Sequence, residues 1–346
     1  MALAATKVRK TETALAAGAP DFQFSQRPVT SPAVVRSPIY SRLPELYESC
    51  DLIVPMFRRR KFKLRLPSRT LLLGERTLVM GVLNVTPDSF SDGGFFFDPD
   101  LAVARAIEME EVGADIIDIG GESTRPGSQG ISAEEELRRI LPVLEKLRRK
   151  MKIPISVDTS KSEVAETAAA AGAEILNDVT ALRSGSGIAE VARRRKLPLI
   201  LMHMRGEPRT MQKGPFARDV VREVLAGLRA STAIARRTGL SKSQIIIDPG
   251  IGFGKTYAQN FELLARLPEL AKLGFPILVG TSRKSFIGRA LEGTASASAP
   301  KSARVWGTAA TVVASILQGA HIVRVHDVAE MVEVARVTDV LASHAK

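Results

Sequence analysis

Eight times between Leu78 and Val325, a short apolar run rich in Val and Ile gives way to polar loop residues and then to a helical stretch. The runs cover residues 78–85, 114–119, 153–157, 174–179, 198–204, 245–248, 276–279 and 321–325. Near-continuous apolar strands separated by helices predict a parallel sheet buried on both faces, because only the crossover helices can cover it. A weak internal repeat supports the count. Val112-Gly-Ala-Asp-Ile-Ile, Ala171-Gly-Ala-Glu-Ile-Leu and Gln318-Gly-Ala-His-Ile-Val each read as a helix stopped by Gly and followed by a strand. Helix starts are marked by Asp98-Pro99 and by a capping-box pattern, Ser132-Ala-Glu-Glu135. Eight such units fit an α/β fold of the (β/α)8 TIM-barrel type, which needs roughly 250 residues. A doubly wound open sheet is the alternative with the same pattern.

Ahead of the first unit, Phe62–Pro67 and Thr70–Thr77 read as two short strands about a turn, an N-terminal hairpin. Residues 1–60 are expected to form a disordered, flexible extension, with the barrel over 61–346. Ala, Ser, Thr and Pro dominate residues 1–55, which show no sustained period. Residues 1–76 hold 14 Lys+Arg against 6 Asp+Glu and so carry +8 of the net +12. The run Arg58-Arg59-Arg60-Lys61 is read as a solvated edge; a nearly balanced main domain argues against a nucleic-acid protein. With only Cys50, a disulfide framework, a Cys-rich zinc site and a CxxC motif are excluded. No apolar run approaches the ~18–20 residues of a membrane span. The expectation is a soluble, cytoplasmic protein without a membrane partner.

In such a barrel the strand C-termini and the following loops form one rim, where chemistry is done. Polar residues gather at those positions: Asn84, Asp118, Asp158, Asn177-Asp178, His203, Asp248, Lys284, and Arg324 with His326. A single Asp there is as readily a turn former; eight polar strand ends together indicate a site. Asp158, Asn177 and Asp248 suit a flat heterocycle presenting several N–H donors, since a site of this kind rejects analogues that leave its acceptors unpaired. Lys284, Arg324 and His326, near the strands where barrels bind phosphate, suit an anionic group. A nucleobase-like ring carrying phosphate or pyrophosphate has both features. The loops Thr86–Gly94 and Gly120–Gly127 mix Gly, Pro and functional groups and read as closing lids. Gly250-Ile-Gly-Phe-Gly-Lys255-Thr256 looks like a phosphate-cradling Walker A loop but is one residue short, with Pro249 where the first Gly belongs. His203 reads as a satisfied core or rim histidine, His344 as surface, and Trp306 as packed in the last helical region.

Taken together, Gly81–Gly94, Asp118–Gly127, Ser156–Thr159, Asn177-Asp178, Asp248–Phe253, Ser282–Ser285 and Arg324–His326 closely resemble the dihydropteroate synthase family of pterin-binding enzymes. The match runs in the family's order from about residue 78 to residue 340, and its first two motifs are long and specific. The resemblance implies a transferase of folate biosynthesis that joins 6-hydroxymethyl-7,8-dihydropterin pyrophosphate to p-aminobenzoate, giving dihydropteroate and pyrophosphate. It implies that Asp158, Asn177, Asp248 and Lys284 hold the pterin and that Asn84, Arg125, Arg324 and His326 bind the pyrophosphate. Mg2+ is the implied cofactor, with Asn84 as its ligand. Thr124, Pro126, Phe253 and Ser285 are implied to shape the p-aminobenzoate site. Asp92, Lys284 and Arg125 are the implied catalytic residues, Asp92 stabilising developing positive charge. Sulfonamides, as aryl-amine mimics, should compete at the p-aminobenzoate site, and a homodimer through helices away from the rim is expected. Within the same fold, a methyltransferase module acting on methyltetrahydrofolate is the rival; in another class, a basic scaffold built on the N-terminal run.

Overall fold

The computed structural model describes residues 59–86, 98–124, 127–207, 210–214, 216–292 and 304–344. Apart from Arg59 and Arg60, the expected extension over 1–60 lies outside the described residues. The hairpin expectation holds: β1 (Phe62–Arg65) and β2 (Thr70–Leu73) pair antiparallel, with Phe62 opposite Leu73. All eight expected strands follow. They alternate with helices as β3 (Leu78–Asn84), α1 (Pro99–Glu111), β4 (Ile116–Gly120), α2 (Ala133–Arg148), β5 (Ile155–Asp158) and α3 (Ser162–Ala171). The second half continues with β6 (Ile175–Asp178), α4 (Gly187–Arg195), β7 (Leu199–Met202), α5 (Val220–Arg237), β8 (Ile245–Asp248) and α6 (Tyr257–Ala265). It ends with β9 (Leu278–Val279), α7 (Ser285–Ala290), α8 (Val305–Leu317), β10 (Ile322–Val325) and α9 (Val328–His344).

Strands β3 to β10 are parallel in the order β8-β7-β6-β5-β4-β3-β10-β9. A parallel bridge between Ile247 and Ile277, with the Ile247 N–H donating to Pro276 O at 3.0 Å, joins the two ends and closes the cylinder. The open-sheet alternative is thereby removed. Local chemistry behaves largely as expected. Gly113, Gly172 and Gly319 end three helices at φ of 103°, 116° and 102°, where a Cβ would be strained. Asp98 caps α1 by accepting from Asp100 N at 2.8 Å, and Ser132 caps α2 by accepting from Glu135 N at 3.1 Å. The return half of that capping box is replaced, because Glu135 ion-pairs with Arg138 and Arg139.

Side chains alternate along each strand, so a period of two decides what faces inward. Outward residues such as Val79, Leu83, Ile117 and Ile119 pack on Ala102, Val103, Ala106, Ile140 and Leu144 of the helices. Inward residues Leu78, Met80, Ile116, Ile175, Ile200, Ile246, Leu278 and Ile322 form an apolar layer, plugged from below by Leu64, Leu66 and Leu73 of the hairpin. Each such side chain contributes about 1.5–3 kcal/mol of burial. The lower half of the cylinder is therefore shut, and the polar strand ends are left at the opposite, upper mouth.

The basic run departs from its solvated reading at Arg59. This guanidinium donates to Thr77 Oγ1 at 2.6 Å and Ala320 O at 3.2 Å and pairs with Asp339 of α9. Beside it, His321 accepts from Ile277 N at 3.1 Å through Nδ1, and its Nε2 lies 3.0 Å from Arg60 O. Burial pulls this imidazole down to about 4. Trp306 also departs from expectation: it is 81% exposed on α8. His344 is exposed and His203 buried, as read from the sequence. Among the described residues no helix is long and apolar enough to cross a membrane.

Candidate active site

Strand register sets the residues of the upper mouth side by side. Asn84 is the Cα partner of Gly120, Gly120 of Asp158, and Asp158 of Asn177, so β3 to β6 place them in one row; Met202 and Asp248 pair across β7 and β8. Gly120 leaves the middle of that row open. A Cβ there would stand 3.6 Å from Asp158 Cβ and 3.9 Å from Asn84 Oδ1. One step lower, Asp118 and Ser156 are register partners and wholly buried.

The charges of this mouth are tied into a single cluster. Arg324 on β10 reaches across the cylinder, donating from Nε to Asp118 Oδ2 at 2.6 Å and from Nη2 to Asp158 Oδ2 at 3.0 Å. Asn177 Nδ2 donates to the same Asp118 oxygen at 3.0 Å. Burial would lower the Arg324 guanidinium, but Asp118 and Asp158 outweigh it and hold the pKa above its ordinary value. Burial pushes the Asp158 carboxyl well above the carboxylate range, opposed by Arg324. The Asp248 carboxyl is raised for the same reason, opposed by Lys284, while its Oδ1 accepts from Gly250 N at 2.7 Å. Two buried atoms, Asp118 Oδ1 and Ser156 Oγ, have no protein partner. An orphan acceptor inside a mouth asks for a donor from water or ligand.

Basic groups occupy the adjoining sector. Lys284, on the loop before α7, extends over the Phe253 ring at 4.3 Å and donates to Ile251 O. Burial pulls its ammonium down to about 8, with Asp248 opposing. His326 follows β10, and its Nδ1 lies 3.1 Å from Ser282 Oγ, which also accepts from His326 N at 3.2 Å. Phe253 packs on a small apolar cluster of Val179, Met202, Met204 and Met211.

An open cleft of 810 Å³ extends from Asp158 over the loops after β4 to β7, lined among others by Glu122, Thr124, Thr180, Arg183 and Met204. The loop that carries Thr124 is fixed at its root. Arg139 donates to Gly121 O at 2.9 Å, and Lys161 joins Glu122 to the buried Glu136, with Nζ 2.5 Å from Glu136 Oε2.

The fold thus brings Asn84, Asp158, Asn177, Asp248, Lys284, Arg324 and His326 to one end of the cylinder, with Thr124 on the cleft wall and Phe253 under Lys284. Ser285 opens α7 and is exposed, whereas Ser282 is the buried serine that holds His326. Asp92, Arg125 and Pro126 lie outside the described residues. Sequence reasoning named Asp118 as a strand end and quoted Ser156 and Ser282 within motifs but gave none of the three a role, and it passed over Lys161. The signal for Asp118 was present: an acid inside the apolar strand Ile116–Gly120, two residues from Gly120 and therefore on the inward face.

Comparison with known proteins adds an independent line. The family described as Pterin binding enzyme matches residues 80–326. The dihydropteroate synthase of Synechocystis is 50% identical over 268 residues, covering 78% of this chain and 91% of that protein. The crystal structure of the Yersinia pestis dihydropteroate synthase with a sulfonamide drug is similar at a TM-score of 0.75 and 43% identity, over 82% of this chain and 99% of that one. The Xanthomonas albilineans dihydropteroate synthase with 4-aminobenzoic acid also gives 0.75 and 43%, over 82% and 98%. With that likeness spread over the whole barrel, and the matched segment spanning every strand end of the mouth, the chain belongs to the pterin-binding enzyme family as one of its dihydropteroate synthases.

Proposed function

We propose that the upper mouth binds 6-hydroxymethyl-7,8-dihydropterin pyrophosphate and joins it to p-aminobenzoate, as the dihydropteroate synthase reaction requires. The observation that carries this is the meeting of Asp158, Asn177 and Asp248 with Lys284 and Arg324 at one end of the cylinder. Acceptors deep in a polar mouth suit the N–H edge of a pterin, and Lys284 suits its carbonyl. In this reading Asn84, Arg125, Arg324 and His326 take the pyrophosphate, and Thr124, Pro126, Phe253 and Ser285 enclose the p-aminobenzoate.

Among the described residues no group of three or more His, Cys, Asp or Glu could form an all-protein metal cage. Mg2+ nevertheless fits the donors present, because it favours one or two protein oxygens completed by phosphate and water. Asn84, half-buried at the rim with its Oδ1 towards Gly120, would be the protein ligand. When bound, the ion would neutralise charge on the pyrophosphate.

The reaction breaks the C–O bond from the exocyclic CH2 to pyrophosphate and forms a C–N bond to the aryl amine, which gives up one proton. Since an aryl amine is a modest nucleophile, departure of pyrophosphate carries much of the barrier. Arg324, with the His326 ring as a further hydrogen-bonding group, would stabilise the charge gathering there, because fixed donors in a low-dielectric mouth act without reorganising. Asp92 would face the cation left on the pterin carbon. Pyrophosphate release that depends on p-aminobenzoate tests the reading. Failure to form dihydropteroate from the two substrates, or methyl transfer from methyltetrahydrofolate, would overturn it. Asp92→Asn is expected to lower turnover far more than pterin affinity. Equal loss of both assigns Asp92 to binding.

The reading includes a homodimer. Trp306 on α8 and Val337, Val340 and Leu341 on α9 are 59–81% exposed on two adjoining helices, an apolar surface of the kind that marks a partner. Light scattering that gives the mass of one chain would remove it.

A further inference from the structure

The Gly250–Thr256 loop resembles a phosphate loop in sequence but is wired in the opposite sense. A phosphate cradle turns backbone N–H groups toward a common centre. Here the carbonyls converge, and their centre is the loop's own Lys255. Its ammonium, only 3% exposed, donates to Gly250 O at 2.9 Å, Phe253 O at 3.0 Å and His203 O at 3.3 Å, and lies 3.2 Å from His203 Nδ1. None of these partners is a carboxylate. Burial, reinforced by Lys255, pulls His203 down to about 3, so the imidazole is neutral and its Nδ1 can accept.

The backbone can make this ring only because glycine stands at its corners. A Cβ on Gly250, at φ +66°, would come within 1.9 Å of His203 O, and one on Gly254, at φ +67°, within 2.3 Å of Arg205 O. Asp248 Oδ1 accepts from Gly250 N, and from the outer side Asn260 Oδ1 of α6 accepts from Gly252 N at 2.6 Å. The loop so fixed presents two features to the mouth: the Ile251 carbonyl that receives Lys284, and the Phe253 ring beneath the same ammonium.

We propose that Lys255 is a positioning residue for the aryl-amine half of the reaction: by gathering the carbonyls of Gly250, Phe253 and His203, it sets the Phe253 ring against which p-aminobenzoate lies. The assignment rests on the reading of Phe253 given above. Lys255 itself does not reach the reacting atoms. Of the pterin groups, Asp158 and Asn177 stand on other strands, β5 and β6, while Asp248 and Lys284 are bonded to this loop at Gly250 N and Ile251 O. Lys255 holds the loop at Gly250 O and at Phe253 O itself, so its loss should fall more heavily on the aryl amine than on the pterin. The ammonium is pulled down to about 7 by burial and by Lys284, with Asp248 and Glu223 opposing and Arg183 adding to the fall; His203 is the titratable group in contact with it.

The test is steady-state kinetics on the full chain with Lys255→Met, which keeps the length and volume of the side chain without its donors. The KM for p-aminobenzoate should rise about tenfold or more while that for the pterin substrate rises by no more than about threefold. Lys255→Gln, which keeps two N–H donors, should fall between Met and wild type and is the variant used if Lys255→Met does not fold. The pH profile separates Lys255 from Lys284, which is pulled down to about 8 over the same ring: the rise in the wild-type p-aminobenzoate KM as pH passes through about 7 should be missing in Lys255→Met. Both KM values rising equally, or neither changing, would overturn the role of Lys255, as would the same pH profile in wild type and Lys255→Met. Wild-type protein without p-aminobenzoate-dependent turnover would instead overturn the reading of the site.

Discussion

Arg324 is the most informative residue to remove, because its single guanidinium serves two carboxylates from inside the barrel. Its Nε stands 2.6 Å from Asp118 and its Nη2 3.0 Å from Asp158. Asp118 is wholly buried, its Oδ1 already without a protein partner. Replacing Arg324 with Met leaves that carboxylate facing Asp158 in a medium where breaking a buried pair costs about 3–5 kcal/mol. The cost is mostly the penalty on the orphaned acid. Asp118→Asn should therefore be the milder change, about 1–3 kcal/mol, since Arg324 keeps Asp158. The double variant should cost no more than Arg324→Met alone, because the one acid that remains, Asp158, is pushed toward its neutral form by burial. Urea unfolding of wild type, both single variants and the double variant gives the coupling directly, expected at about 2 kcal/mol or more. Additive effects, or a loss below about 1 kcal/mol for Arg324→Met, would show that the cluster is screened by water and that the electrostatic account of this mouth is wrong.

Two further outcomes concern the closed end of the barrel. Arg59→Ala removes a cation that is 9% exposed and paired with an Asp339 that is 16% exposed; about 2–4 kcal/mol of stability should go, with turnover of the folded fraction unchanged, and a selective loss of turnover would contradict the separation of the two ends. His321, pulled down to about 4 by burial, binds its proton more readily unfolded than folded. Its contribution is complete above about 6.5 and is lost as pH falls toward 4, about 2 kcal/mol by pH 5. Thermal melts from pH 7 to pH 5 should show a shallower decline in His321→Gln than in wild type, and equal declines would remove His321 as the cause.

Most of the fold was legible because a parallel barrel repeats one constraint eight times. Each unit needs an apolar strand, a helix stop and a polar strand end, so an error in one unit is outvoted by the rest. The Gly113, Gly172 and Gly319 stops illustrate this, since a positive φ is a local demand that local sequence can announce. The site was legible for the same reason: strand ends of known parity share one mouth. What escaped the sequence depends on long-range pairing. Arg59 lies within a basic run that looks solvated, and only the return of α9 brings Asp339 to it, 280 residues later. Trp306 failed oppositely: an aromatic in an apolar helix reads as core, yet α8 turns it outward. No local pattern says which face of a helix a barrel will cover.

Asp118 shows where the limit falls within the site itself. Read alone, an acid at a strand end near Gly120 is as good a turn former as a ligand. Its inward parity could be counted from Ile116, but its partner could not, because Arg324 lies 206 residues away on β10. The sheet order sets β10 beside β3 and β3 beside β4, so strand eight and strand two of the cylinder are separated by a single strand. That adjacency does more than complete the core. It carries a cation from the anion-binding sector to the acids of the pterin sector, so that two halves of the mouth assigned separately from sequence are electrostatically one. A change on either side is expected to be felt on the other, because the guanidinium of the one sector is bound to Asp118 and Asp158 of the other.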